Sequence, residues 1–190
     1  MNILIEDSIL NTESDRKLEY NQYLTEHIRN VKKAYKHFLY DAIMELNPDI
    51  SSEDLVEIQE EIDHHDQSKY DPEEYNAYLK HFYPANKEDE DKSIPENLLE
   101  FNYAWLRHQQ KNGHHYQHWI IITDSGNMLA MDMPFKYIIG MLADWHSFSA
   151  KDSKSTAYQW YYDNKKNILL SDNTRKIVEM YLEYLKKPIK

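Results

Sequence analysis

A chain of 190 residues with a formal net charge of −11 repels the phosphate backbone, which excludes duplex nucleic acid as a general partner. The absence of cysteine excludes disulfides and thiolate–metal sites and fits a reducing compartment. With only 3 glycines the tight turns of a large sheet are excluded too, so helices are expected.

No apolar run approaches the ~20 residues needed to cross a bilayer. Met1-Asn2-Ile3-Leu4-Ile5-Glu6-Asp7 lacks the basic n-region and apolar stretch of a signal peptide. The expectation is a soluble, cytoplasmic protein with no membrane contact. The length fits one domain over residues 1–190, with 1–14 as a loose N-terminal segment. A homodimer is compatible with the composition.

In chain order, the first periodic segment runs from Asp15 to Leu46. Leu24, Ile28, Val31, Tyr35, Phe38 and Ala42 recur at helical spacing, and Asn47-Pro48 ends the segment. A second helix begins at Ser52, with Leu55, Val56 and Ile62 toward a core, and runs into His64-His65-Asp66. Asp71-Pro72 opens a third helix carrying Tyr75, Tyr78, Leu79 and Phe82. Pro84 to Ser93 is charged and reads as a solvated loop. Pro95 opens a fourth helix through Leu98, Leu99, Phe101, Trp105 and His108, ended by Asn112-Gly113.

Trp119-Ile120-Ile121-Ile122-Thr123, then Asp124-Ser125-Gly126, predicts a small β-hairpin near 119–131. A fifth helix follows Pro134 with Tyr137, Ile138, Met141, Leu142 and Trp145 on one side. A short helix spans Thr156 to Asp163. The last starts at Asp172 or Thr174 and carries Ile177, Val178, Tyr181 and Leu185. The predicted fold class is all-α, a helical bundle with one small hairpin.

The 10 histidines carry the chemistry through their placement. His27 lies beside the apolar stripe of the first helix. His65-Asp66 stands at the end of the second, His108 at the end of the fourth, and His114-His115 just after the Asn112-Gly113 turn. Asp144 lies among core-type residues of the fifth helix, where an unpartnered carboxylate would cost several kcal/mol, roughly. Imidazoles with carboxylates suit divalent Mn, Fe, Zn, Ni or Co, so one or two such ions are the expected cofactor. The competing structural readings are a surface capping pair for His65-Asp66, a core histidine for His27 and a lysine or arginine pair for Asp144. His64 and His65 cannot both face one ion from a helix, since neighbours point about 100° apart. His64 is thus either a donor behind the ligands or a surface residue. His37, His81 and His118 are expected to be structural or exposed. The tyrosines and tryptophan near Tyr158, Trp160, Tyr161 and Tyr162 read as core.

The ordered set His27, His65-Asp66, Asp144 resembles the signature of the HD-domain metal-dependent phosphohydrolase superfamily, from Tyr20 to Ala150. His65-Asp66-Gln67-Ser68-Lys69 resembles its HD-x-G-K run, with serine in place of glycine. His114-His115 resembles the extra histidines of the HD-GYP branch, whose members bind two or more metals. The GYP tripeptide is absent, His108 lies closer to His114 than its counterparts do, and a hairpin before Asp144 is not typical. The pattern Trp105…His108…Asn112-Gly113-His114-His115…Trp119…Asp144-Trp145 also resembles an uncharacterised family found in bacteria and their phages.

The HD resemblance implies a helical HD-like domain and a hydrolase for a small phosphate ester such as a nucleotide. It implies His27, His65, Asp66 and Asp144 as ligands of the first ion, with Asp66 also holding the nucleophilic water. Lys69 and Arg107 would neutralise charge on the phosphoryl oxygens. His108 is a further candidate ligand, and His114 or His115 would ligate a second ion or protonate the leaving oxygen. Two other readings stand beside it. One is a di-iron oxygenase, as some HD-fold relatives are. The other is a non-catalytic helical interaction protein of phage origin with a structural metal, which a fully closed coordination shell would favour.

Overall fold

The computed structural model describes residues 12–91, 93–148 and 156–186. The first helix, α1 (Glu13–Ala34), starts on a capping box: Thr12 Oγ1 accepts from the Asp15 amide at 3.2 Å and the Asp15 carboxylate accepts from the Thr12 amide at 3.0 Å. Of the expected loose segment 1–14, residues 1–11 lie outside the described residues, and 12–14 are held by this cap.

The single helix expected from Asp15 to Leu46 is continuous but not uniformly α. Tyr35–Leu39 forms a π turn, followed by α2 (Tyr40–Leu46). The wide turn shifts the register. Leu39 and Ile43 are therefore fully buried, whereas Phe38, expected on the stripe, is only half-buried.

Ser51 caps α3 (Ser52–Asp63), its Oγ accepting from the Asp54 amide at 3.0 Å. Ile58 and Ile62 face the core. Val56, expected inward, is exposed because it lies about 200° round the helix from Ile58. A 3₁₀ turn, Gln67–Tyr70, links α3 to α4 (Pro72–Phe82), and α4 packs against α6 (Pro95–Lys111); both open on the expected prolines. Between them the expected loop contains one helical turn, α5 (Lys87–Glu90), capped by Asn86 and with no buried residue. Only one face of α6 is covered by α4, so Ala104 and His108 are buried while Leu98 and Leu99 are exposed.

The hairpin is present. Strands β1 (Ile120–Ile122) and β2 (Met128–Ala130) pair antiparallel with Ile121 opposite Leu129, and Gly126 at φ 80° makes the turn that a Cβ would strain. The next helix, α7 (Phe135–Ser147), is central. It packs on α1 and α3, and Ile138, Ile139, Met141, Leu142 and Ala143 are all buried. Helices α8 (Ala157–Asn164) and α9 (Asp172–Tyr184) close the core with Tyr161, Val178, Tyr181 and Leu182.

The apolar interior divides in two. The larger cluster joins the second half of α1 to α2, α3, α7, α8 and α9. The smaller, built from Tyr20, Leu24, Ala77, Tyr78, Leu79 and Ala104, lies between the first half of α1, α4 and α6. His27 stands on α1 between Leu24 of the smaller cluster and Val31 of the larger, so the seam passes through it.

His146 lies on α7 behind that seam. It is fully buried, packs edge-on to Phe38 and has no hydrogen bond to either ring nitrogen. Burial lowers its pKa to about 4 from an ordinary 6.5. As pH falls through this window the unfolded chain takes up the proton first, so the contribution is intact above pH 6.5 and lost towards pH 4, by up to about 3 kcal/mol. His146→Leu should therefore resist acid better than the native protein. The difference in melting temperature between the two should widen in favour of leucine from pH 7 to pH 4; a gap independent of pH would refute the buried neutral histidine.

Candidate metal centre

Five segments bring polar side chains into the seam. His27 comes from α1, and His65 and Asp66 from the turn that ends α3. His108 comes from the last turns of α6, His114 and His115 from the loop after it, and Asp144 from α7. The turn at Asp66 matters most. Its backbone is left-handed, φ 59° and ψ 17°, the only non-glycine positive φ among the described residues. Aspartate tolerates this region better than most residues. The helix ends there, which allows two consecutive side chains, His65 and Asp66, to face the same centre, each 1% exposed.

Asp66 is the hub. Its Oδ2 lies 3.1 Å from His27 Nε2 and 3.5 Å from His65 Nε2. Its Oδ1 lies 3.2 Å from His108 Nε2 and 3.4 Å from His114 Nε2. Asp144 Oδ1 closes the first side at 3.3 Å from His27 Nε2 and 3.7 Å from His65 Nε2. The ligand-type atoms thus form two groups, His27 with His65 and Asp144, and Asp66 with His108, His114 and His115. One oxygen of the Asp66 carboxylate faces each.

Two glutamates orient the second group, and sequence reasoning missed both. Glu74 is fully buried on α4; its Oε2 lies 2.8 Å from His108 Nδ1 and accepts from Ser68 Oγ at 2.8 Å. On α3, Glu61 Oε1 lies 3.0 Å from His114 Nδ1. A carboxylate can only accept, so each histidine carries a proton on Nδ1 and presents Nε2 toward Asp66, where it can ligate a cation once it carries no proton of its own. The signal available beforehand was weak: Glu61 lies one helical turn before His65, and Glu74 lies between Glu73 and Tyr75 in the first turn of α4, where acids are ordinary. Gly140 makes room for the Glu61–His114 pair. A Cβ there would stand 3.1 Å from Glu61 Cγ and 3.2 Å from His114 Cβ.

The electrostatics favour added positive charge. Burial works to raise the Asp66 carboxyl, yet His65 and Lys69 hold it well below the usual carboxylate range. Burial likewise opposes ionisation of Asp144, and His65 outweighs it. Burial lowers His65, and it lowers His115, to about 2, with neighbouring His114 and His108 adding to the effect. His114 moves the other way: burial is outweighed by Asp66 and Glu61, and its pKa rises to about 9.

Buried ligand-type atoms also lack hydrogen bonds: Asp66 Oδ1, Asp144 Oδ1, both nitrogens of His65, and the Nε2 atoms of His108, His114 and His115. Each such orphan costs about 1–3 kcal/mol. Cations between the paired groups would satisfy most of them at once, so the donor set fits divalent metal and these groups can hold it.

The remaining candidates fall as follows. Lys69 Nζ donates to Asp66 Oδ2 at 2.6 Å across the 3₁₀ turn. Arg107, expected beside the phosphoryl group, instead pairs with Glu73 of α4. His64 is exposed, its Nδ1 against the Glu60 carbonyl oxygen, so it is a surface residue and not a donor behind the ligands. His37 and His118 are exposed, and His81 stacks on Phe101. Tyr161 is core as expected, while Trp160 is partly exposed and lines a cavity. Two cavities, of about 450 and 570 Å³, reach the cluster; Trp105, His115, Asp144 and Phe148 line both.

Fold and site together define a helical protein with a buried histidine–aspartate cluster suited to metal. Residues 16–184 match the family of unknown function DUF5662, and the chain belongs to that family. No curated protein and no solved structure matches it. Among the described residues no helix is long and apolar enough to cross a membrane.

Proposed function

We propose that this protein is a metal-dependent hydrolase of a small phosphate ester. The observation that carries the reading is Asp66, whose two carboxylate oxygens face separate histidine groups at 3.1–3.5 Å while Lys69 reaches the same carboxylate. His27, His65 and Asp144 would hold one ion with Asp66 Oδ2; His108, His114 and His115 would hold a second with Asp66 Oδ1. Divalent ions bound there would supply a water acidified enough to give hydroxide near neutral pH. The chain supplies the rest. Asp66 fixes the separation of the two groups, and Glu61 and Glu74 keep the histidine lone pairs aimed inward. The Lys69 ammonium, which also lines the 570 Å³ cavity, stabilises negative charge on the phosphoryl oxygens. The ordered set His27, His65-Asp66, Asp144 supports this reading through its resemblance to the HD superfamily.

The direct test is elemental analysis of the purified protein, followed by phosphate release from a panel of phosphomonoesters and nucleotides with added manganese. Lys69→Ala sharpens it. Lys69 lowers the negative charge of the cluster, so its removal should leave metal content unchanged or higher. Turnover should fall roughly 100-fold, the scale of one lost charge-stabilising donor. Loss of metal together with turnover would show that Lys69 only holds Asp66 in place and that its phosphoryl role is wrong.

A further inference from the structure

The smaller apolar cluster does not close on itself. A cleft of about 570 Å³, open to solvent on one side, lies among Tyr20, Tyr23, Tyr78, Phe101, Trp105 and Phe148, with Lys69 and Asp144 also on its wall. That volume falls within the range of small-molecule sites. Several side chains of the wall also stack on the cluster or on one another. Tyr23 lies parallel to the His27 ring with centroids 6.1 Å apart, and Trp105 stacks on His108 at 5.7 Å.

Two hydroxyls in this wall have no explanation within the fold. Tyr20 and Tyr78 are 1% and 5% exposed, and neither phenolic oxygen has a hydrogen-bond partner. A buried tyrosine usually finds one, and an orphaned hydroxyl costs about 1–3 kcal/mol. Phenylalanine would fill the same places without that cost. Among the described residues the wall holds no amide or guanidinium side chain that could read the edge of a ring. It offers ring faces and one ammonium beside the metal-type cluster, with the unpartnered Tyr20 and Tyr78 oxygens buried just behind its surface.

We propose that this cavity is the binding site for the organic part of the substrate, and that the substrate is a small anion carrying a flat, largely apolar ring. The ring lies among the aromatic side chains, the anionic head reaches Lys69 and the cluster, and Tyr20 and Tyr78, whose oxygens are buried in the free protein, donate to oxygens between head and ring after a small shift of their own rings. Selection then goes by the presence of a ring and not by its pattern of donors and acceptors. The proposal rests on the cluster being the place where the anionic head sits, and it names the class of ester that the hydrolase reading leaves open.

Phosphonates test it without turnover, because their carbon–phosphorus bond resists hydrolysis. Calorimetry on manganese-loaded protein should show phenylphosphonate binding at least about tenfold more tightly than methylphosphonate, the ring burial being worth 1.4 kcal/mol or more. Tyr20→Phe and Tyr78→Phe should each weaken phenylphosphonate by about threefold to tenfold. Each should also raise the melting temperature of the ligand-free protein, since the orphaned hydroxyl is gone. A hydroxyl with a structural role would lower it. Equal affinity for the two phosphonates overturns the assignment of the cavity, and unchanged phenylphosphonate affinity in both variants overturns the assignment of the hydroxyls. Tight phenylphosphonate binding without phosphate release from phenyl phosphate upholds the cavity assignment and removes only the hydrolase reading.

Discussion

Asp66→Asn should empty both halves of the cluster in one step. Metal affinity is expected to fall roughly 100-fold or more, at least the scale reported for groups one layer further out, and phosphate release should disappear. The reasoning starts from the backbone. Position 66 is left-handed, a conformation that asparagine tolerates as readily as aspartate, so the substitution keeps the turn that delivers His65. It keeps the volume as well. What it removes is the charge that both histidine groups share, and an amide oxygen is a weaker ligand for borderline cations than a carboxylate.

One side effect must be separated. Lys69 is largely buried and donates to Asp66, and a stranded buried charge is costly. Asp66→Asn combined with Lys69→Met removes that cation and restores any stability lost for this reason. Helical content by circular dichroism and phosphate release at saturating manganese, read on the same sample, decide the matter. Undiminished release in a folded variant would place the catalytic centre elsewhere, whatever metal the cluster holds.

The helices were legible because burial imposes a period. Leu24, Val31 and Ala42 on α1 and α2, and Ile138, Met141 and Leu142 on α7, are buried as their spacing predicts. The prolines and caps that start α4, α6 and α8 are equally local signals. The errors have local causes too. A π turn leaves no mark in the periodicity, so Phe38 was expected where Leu39 stands. Leu98 and Leu99 are apolar residues that stay exposed on α6, and a pattern cannot report a missing neighbour.

The candidate site divides in the same way. His27 and Asp144 could be picked out because an imidazole and a carboxylate are conspicuous among apolar residues, and His65-Asp66 because the ordered set resembles the HD signature. Glu61 and Glu74 could not, because Glu61 sits among the many acids of α3 and Glu74 follows Glu73 in the first turn of α4, where acids are ordinary. Only the packing of α4 against α6 shows Glu74 to be fully buried. Tyr20 and Tyr78 hide for a related reason: a tyrosine stripe predicts a wall but says nothing of whether its hydroxyls find partners.

Glu74 should matter nearly as much as the histidine it holds. It is fully buried, and its Oε2 receives both His108 and Ser68. Glu74→Leu has a similar volume but leaves the His108 Nδ1–H only the neutral Ser68 hydroxyl, 3.1 Å away, as an acceptor, which holds the ring and its tautomer less firmly than a buried carboxylate does. Affinity at the Asp66, His108, His114 and His115 group is expected to fall about 10–100-fold. Among the described residues the His27, His65 and Asp144 group has no glutamate of this kind among its contacts, and it should bind as before. A titration with manganese would then change from two tight sites to one tight and one weak. Glu74→Gln is the control, since its side-chain carbonyl can still accept from Nδ1, and it should recover most of the loss. The hydrogen bond matters here more than the charge if glutamine restores the site; if glutamine behaves like leucine, the negative charge behind His108 is what strengthens it as a ligand. Equal weakening of both sites by Glu74→Leu would show that Glu74 supports the packing of α4 on α6 and does not act through His108.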